Sequence, residues 1–94
     1  MSANKQYANG QPMFRRTGDT YIHFLKNGKI KAKGKMISGR MEGEWIFNRL
    51  SGQLWQVGNF KHGQKHGNWL RYDKAGNLEY ETEFDGGKLV KKLA

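Results

Sequence analysis

The sequence predicts an all-β protein: a single-layer antiparallel β-meander of successive hairpins with a 24-residue repeat, elongated and twisted. Glycine recurs with a period of 24 residues, without insertion or deletion, in the columns Gly10, Gly34, Gly58; Gly28, Gly52, Gly76; and Gly39, Gly63, Gly87. Large side chains keep the same register, as in Tyr21, Trp45 and Trp69. Between the glycines apolar and polar residues alternate, which indicates strands rather than helices.

The repeat also predicts how the chain is organised. Residues 1–9 precede it as an N-terminal tail, residues 10–89 form the repeat domain, and residues 90–94 form a C-terminal tail. The units are 10–33, 34–57 and 58–81, followed by a partial unit at 82–89. Strands are expected near 20–26, 29–37, 44–50, 53–61, 68–74 and 77–85, with 12–16 as a candidate edge strand.

Two glycine columns predict the connections between these strands. Asn27-Gly28 is a favoured centre for a two-residue type I′ turn, because both of its positions need positive φ. Ser51-Gly52 and Ala75-Gly76 occupy the same place in later units. Residues 39–43 and 63–67 are then expected to be longer connections that return the chain to the next hairpin.

Composition excludes several classes of protein. The chain has no cysteine, so neither a disulfide framework nor a thiolate metal site holds it together. It contains no stretch of the roughly 20 apolar residues that a membrane helix needs. Residues 1–10 are polar, unlike a signal peptide. We therefore expect a soluble, cytoplasmic protein that is not transmembrane.

No arrangement of residues indicates catalysis, a cofactor or a metal. His62 and His66 flank Gly63 without a third ligand, so they are interpreted as turn residues. Glu79, Glu81 and Glu83 are evenly spaced on an open face and lack the enclosed setting of a general acid or base. We expect no enzyme activity and no small-molecule substrate.

Residues 60–72, followed by Gly76-Asn77-Leu78, resemble the MORN repeat in its bacterial variant. The likeness rests on an aromatic residue, a glycine, a Lys-His-Gly turn, a tryptophan and a tyrosine: Phe60, Gly63, Lys65-His66-Gly67, Trp69 and Tyr72. Residues 39–45 with 52–54 are a second copy, in which Met41-Glu42 replaces the Lys-His pair. Asp19 replaces glycine in the first unit, and the resemblance covers about residues 20–88.

That resemblance implies an elongated sheet of hairpins that serves as a scaffold for protein contacts or dimerisation. Several members of the family are proposed to contact anionic phospholipids, so the resemblance also implies such contact as a further role. Bacterial proteins of this variant are often labelled antitoxin-like.

The aromatic residues are interpreted chiefly as the repeat core, because their register follows the repeat. The set comprises Tyr21, Trp45, Trp69, Phe24, Tyr72, Phe60 and Phe84. The alternative is that Tyr21, Trp45, Trp69, Phe24 and Tyr72 stack nucleic-acid bases.

A net charge of +9 favours anionic partners, and the basic excess is concentrated in the first half of the chain. Lys29, Lys31, Lys33 and Lys35 alternate along one predicted strand, which would place four ammonium groups on one face. Such a row either tracks phosphates, together with Arg15 and Arg16, or keeps the sheet soluble and guards it against wrong edge pairing.

Equivalent positions in later units change sign. Trp55, Val57 and Asn59 are neutral, and Glu79, Glu81 and Glu83 are acidic. Either this gradient supports self-association around a neutral centre at Trp55 and Val57, or the positions varied independently.

The sequence thus favours a noncatalytic protein-protein interaction or scaffold module, with a homodimer among the candidate assemblies. The alternative is a basic adaptor for anionic phospholipid or nucleic acid.

Overall fold

The computed structural model of the chain describes residues 6–93, and within them the predicted single-layer meander is confirmed. Eight strands form one antiparallel sheet in the order in which they occur along the chain. The strands are β1 Phe14–Thr17, β2 Thr20–Phe24, β3 Ile30–Ile37, β4 Arg40–Asn48, β5 Leu54–Lys61, β6 Gln64–Tyr72, β7 Leu78–Asp85 and β8 Lys88–Lys92. The sheet is open, and the molecule measures 42 × 34 × 17 Å.

The connections differ from the expected ones, because the tight turns and the longer loops exchange places. Ser38-Gly39, His62-Gly63 and Gly86-Gly87 are two-residue turns in which both residues have positive φ, as a type I′ turn requires. Residues 40–43 and 64–67, expected in longer connections, therefore belong to β4 and β6.

The glycine at position 28 closes a longer loop over residues 25–29. The Gly28 N–H donates to the Leu25 carbonyl, and the Leu25 N–H donates to the Lys29 carbonyl. Gly28 has a φ of 86°, but Asn27 does not have a positive φ. The expected type I′ turn at Asn27-Gly28 is therefore wrong. A three-residue loop that ends in a left-handed glycine fits this pattern. Loops at 49–53 and 73–77 repeat the same hydrogen bonds.

The register shifts in six of the seven strand pairs, and three of these irregularities, in β3, β5 and β7, are single-residue bulges that recur with the period of the repeat. The strand pairing omits Lys31 between Ile30 and Ala32, Trp55 between Leu54 and Gln56, and Glu79 between Leu78 and Tyr80. A bulge places two residues opposite one and so shifts the side chains that follow it. Residues 31, 55 and 79 are therefore special positions rather than ordinary members of an alternating row.

The two ends of the repeat region show further structure. Gln6 forms a bridge with Pro12, and the Tyr7 hydroxyl donates to the Phe24 carbonyl at 2.8 Å, so residues 6–9 of the expected N-terminal tail fold against β2. Residues 1–5 and 94 of the two expected tails lie outside the described residues. At the other end, β8 continues to Lys92, beyond the expected domain end at residue 89.

The core is a tryptophan packed on a glycine, repeated once. The Trp45 indole covers Gly34, and the Trp69 indole covers Gly58, so closely that a Cβ on either glycine would overlap the ring. Each indole N–H also donates to a backbone carbonyl at 2.9 Å, of Lys35 and of Asn59 respectively. Trp45 and Trp69 retain only 3% and 5% exposure, which is how one layer of strands buries its largest side chains.

Candidate interaction surface

Cross-strand pairing sorts the side chains onto two faces, because directly paired residues point to the same side of a sheet. Trp45, Gly58, Trp69 and Thr82 are paired in succession and define what we call the aromatic face. Phe47, Phe60 and Phe84 lie on the same face by their own pairings or by alternation. Equivalent tryptophans thus share one side, with β5 between them, as the repeat predicts.

The rings on the aromatic face form a continuous cluster. Phe14 stacks on Tyr21 at 5.4 Å between centroids, Tyr21 lies 6.4 Å from Trp45, and Phe60 meets Trp69 edge-on at 5.1 Å. Phe47 bridges the two tryptophans at 6.2 and 6.0 Å. Ring pairs at these separations add to the stability gained from burial alone.

Five of the seven aromatic residues proposed for the core belong to this cluster: Tyr21, Trp45, Phe60, Trp69 and Phe84. Phe24 contacts the Arg15 guanidinium instead, at 5.6 Å from the ring centroid. Tyr72 makes no ring pair with another described residue, and its carbonyl accepts a hydrogen bond from Arg49. Phe14 and Phe47 were missed, although Phe47 follows Trp45 by two residues and so shares its face.

The opposite side, which we call the aliphatic face, carries one row of directly paired residues across seven strands. In strand order they are Arg15, Ile22, Lys33, Ile46, Val57, Leu70 and Glu81. Its apolar members are only half-buried. The row therefore has basic residues towards β1 and an acidic residue on β7. The repeat-equivalent residues Lys33, Val57 and Glu81 of the expected gradient all lie in it.

The lysine row is less regular than expected. Lys29 precedes β3, and its ammonium donates to the Ser51 carbonyl at 2.7 Å. Lys31 occupies the bulge. Only Lys33 and Lys35 remain as exposed alternating residues on the aliphatic face, where Lys33 pairs with Ile46 and Lys35 pairs with Thr20.

The other candidate binding residues are distributed over both faces. Arg15 pairs with Ile22 on the aliphatic face, whereas Arg16 pairs with Tyr21 on the aromatic face. Trp55 lies at a bulge between two guanidinium groups, 5.9 Å from that of Arg49 and 5.4 Å from that of Arg71. Trp55 is thus separate from the row that contains Val57.

Histidines stabilise contacts between strands near the tight turns. His62 donates its backbone N–H to the Glu42 carboxylate at 2.8 Å, and its ring Nδ1 lies 3.2 Å from the same oxygen. His66 approaches Asp85 at 3.6 Å. Within residues 6–93 there is no group of three or more His, Cys, Asp and Glu side chains able to hold a metal.

One histidine has an altered titration. His23 pairs with Phe14 and Ala32 on the aromatic face. Burial, with a smaller contribution from the charge of Lys31, lowers the pKa of His23 below its ordinary value of 6.5.

These observations define a β-hairpin repeat protein with two unlike broad faces. Residues 41–62 and 65–85 match the family model of the MORN repeat variant, so this part of the chain consists of MORN repeats. Repeats of this family generally mediate binding, and their domains are typically noncatalytic. No match was found among curated proteins or among solved structures. In the described part of the chain, no helix has the length and apolar character needed to cross a membrane.

Proposed function

We propose that this protein is a noncatalytic protein-interaction module whose aliphatic face binds a second copy of the chain. The observation that carries the proposal is the order of the row, Lys33, Ile46, Val57, Leu70, Glu81. This order is self-complementary, because charges of opposite sign lie at equal distances from one central apolar residue.

A two-fold axis along β5 exploits this arrangement. It would place Val57 of one copy on Val57 of the second, and Ile46 of each copy on Leu70 of the other. Lys33 lies two strands to one side of β5 and Glu81 two strands to the other, so the same axis brings each lysine to the opposite glutamate. An isologous interface requires this kind of reciprocal pairing.

The size of the sheet and its partial burial also support an interface. A broad face of a molecule that measures 42 × 34 × 17 Å is larger than the roughly 800 Å² per partner typical of stable complexes. The aromatic face closes over its own tryptophans, whereas Ile22, Ile46, Val57 and Leu70 remain half-exposed. Covering these side chains would remove apolar surface from water.

The first test is Val57→Glu, measured by light scattering and sedimentation at micromolar concentration. We expect the unmodified protein to be dimeric and Val57→Glu to be monomeric, since the axis would bring two carboxylates together. Lys74→Glu, at an exposed loop, is the control and should leave the dimer intact. A monomeric unmodified protein would contradict the proposal.

A charge exchange tests the orientation. Lys33→Glu and Glu81→Lys should each weaken the dimer, and the double variant should restore it. Within one copy these residues lie four strands apart, about 19 Å at the usual strand spacing. Rescue would therefore report a contact between copies, and its absence would reject this axis even if a dimer forms.

A second candidate function is binding to an anionic phospholipid or nucleic-acid surface. The basic end of the aliphatic face supports it, because Arg15, Lys33 and Lys35 are exposed on the same side. Such binding should weaken steeply with salt. If Lys31→Glu combined with Lys33→Glu leaves binding to anionic vesicles and oligonucleotides unchanged, this second function fails.

A further inference from the structure

A groove on the aromatic face lies at the opposite end of the sheet from the basic excess. This open groove has a volume of about 350 Å³ and is lined by residues of β5, β6, β7 and β8. This volume lies within the range of sites that bind small organic ligands. Three cations and three rings line it: Lys65, Arg71, Lys92, Trp69, Tyr80 and Phe84.

Two of the cations converge on one ring. The Arg71 guanidinium lies 4.7 Å from the centroid of Tyr80, and the Lys92 ammonium lies 5.7 Å from it. The third cation, Lys65, lies over Trp69 at 4.6 Å and over Phe84 at 4.9 Å. The rings hold the cations along the groove, because a cation is attracted to the face of an aromatic ring.

No carboxylate neutralises these cations within the described part of the chain. Neither of the two ion pairs found there involves Lys65, Arg71 or Lys92, and no acidic residue lines the groove. Among the described residues, the Arg71 guanidinium donates hydrogen bonds only to the Gln56 side-chain oxygen, which lies 3.4 Å from both Nε and one terminal nitrogen. A bound anion would supply the counter-charge that these cations lack.

The pairing of β7 explains why the groove stays positive in the more acidic half of the chain. Tyr80, Thr82 and Phe84 point to the aromatic face, so the alternating residues Glu81 and Glu83 point to the other face. Lys91 pairs with Glu83 and lies on that other face, whereas Lys92 pairs with Thr82 and lies on the aromatic face. Neighbouring lysines of β8 therefore have opposite environments.

We propose that this groove binds a small organic anion, a carboxylate or a phosphate ester attached to a flat ring. The charged group would lie between Arg71 and Lys92, where a guanidinium offers paired donors to two oxygens. The ring would rest against Tyr80 and Phe84, which line the groove and are only half-buried. The site is separate from the aliphatic face, so it does not depend on the self-association proposed above.

Titration with phenyl phosphate and with benzoate tests the site, followed by NMR shifts of the indole and aromatic protons and by tryptophan fluorescence. At least one of them should bind with a dissociation constant below about 1 mM, shifting signals of Tyr80 and Trp69. Inorganic phosphate should bind at least about tenfold more weakly, because it lacks the ring. Equal binding of inorganic phosphate, or no saturable binding of either aromatic anion, would overturn the proposal.

Lys92→Gln and Lys91→Gln form a matched pair, since both remove one charge from the same exposed strand. Lys92→Gln should weaken binding about fivefold and Arg71→Gln about tenfold, whereas Lys91→Gln should change it less than twofold. Arg71 also packs on Trp55, so thermal unfolding should be used to check that Arg71→Gln is folded. If Arg71→Gln is unfolded, the result for Lys92→Gln decides whether the site exists. Equal losses from Lys91→Gln and Lys92→Gln would mean that only the net charge matters and would reject the site.

Discussion

Val57 and Gly58 are consecutive residues, yet they belong to the two unlike faces of the sheet. Gly58 lies beneath the Trp69 indole, where the space is filled to the point that a single methyl group does not fit. Val57 lies half-exposed between Ile46 and Leu70. One face of this sheet thus provides internal stability, and the other leaves apolar surface available. The difference lets stability and binding be altered separately.

Gly58→Ala should have one of the two largest effects on stability. Its Cβ would overlap the Trp69 ring, which is held by a hydrogen bond to Asn59, so the indole must leave its position. We expect the free energy of unfolding to fall by about 3 kcal/mol in urea denaturation.

The double variant Gly58→Ala with Trp69→Val provides the control. With the ring removed, the added methyl group should cost less than about 1 kcal/mol relative to Trp69→Val alone. An undiminished cost in that background would mean that the glycine is needed for its backbone rather than for the close approach of the ring.

Truncating equivalent residues in different units should show that the third unit is more tightly packed than the first. Trp69→Leu should cost about 3 kcal/mol, because it removes a buried ring and its hydrogen bond. Tyr21→Leu should cost about half as much, since Tyr21 is half-exposed and, among residues 6–93, no atom lies within 4 Å of the place that a Cβ on Gly10 would take. Equal losses in thermal or urea unfolding would show that the first unit is as well packed as the third.

Val57→Thr should affect formation of the dimer more than stability of the monomer. The substitution keeps the shape but replaces a methyl group by a hydroxyl. Because residue 57 is half-exposed, that hydroxyl can still contact water in the monomer, so the free energy of unfolding at low protein concentration should change by less than about 1 kcal/mol. The unfolding temperature of the unmodified protein should rise with protein concentration if a dimer forms, and Val57→Thr should reduce that rise. A large loss of stability at low concentration would mean that this face belongs to the core of the monomer.

The smallest expected effect is a pH dependence from His23 on the aromatic face. Its pKa is lowered by burial first and by Lys31 second, so below pH 6.5 the unfolded chain takes up a proton before the folded one does. The contribution of His23 to the free energy of unfolding should therefore be complete above pH 6.5. It should decrease as the pH falls from 6.5 to the lowered pKa of His23, and it should stay constant below that pKa.

The variant His23→Gln isolates that contribution, because every other titratable side chain is the same in both proteins. The free energy of unfolding in urea should be measured against pH for both proteins. The difference between the two curves should show a loss of stability only below pH 6.5. A difference that is flat across this pH range would contradict the assignment to His23.

The sequence predicts the strand order and the side of the sheet taken by Trp45, Gly58 and Trp69, because a fixed repeat and strand alternation are both visible in residue spacing. Turn types are harder to predict, since Asn27-Gly28 fits both a two-residue turn and the end of a longer loop. Bulges leave no mark in the spacing, so Lys31 and Trp55 were expected in regular rows. The groove was missed because Arg71, Tyr80 and Lys92 come from three strands and meet only when the sheet is assembled.

Every strand of the sheet pairs only with the strands next to it in sequence. Each new hairpin can therefore join the growing sheet as it leaves the ribosome, without waiting for a distant segment to be synthesised. Trp69 reaches Gly58 from only eleven positions further along the chain. During synthesis the protein can consequently close its core one unit at a time, from its first unit to its last.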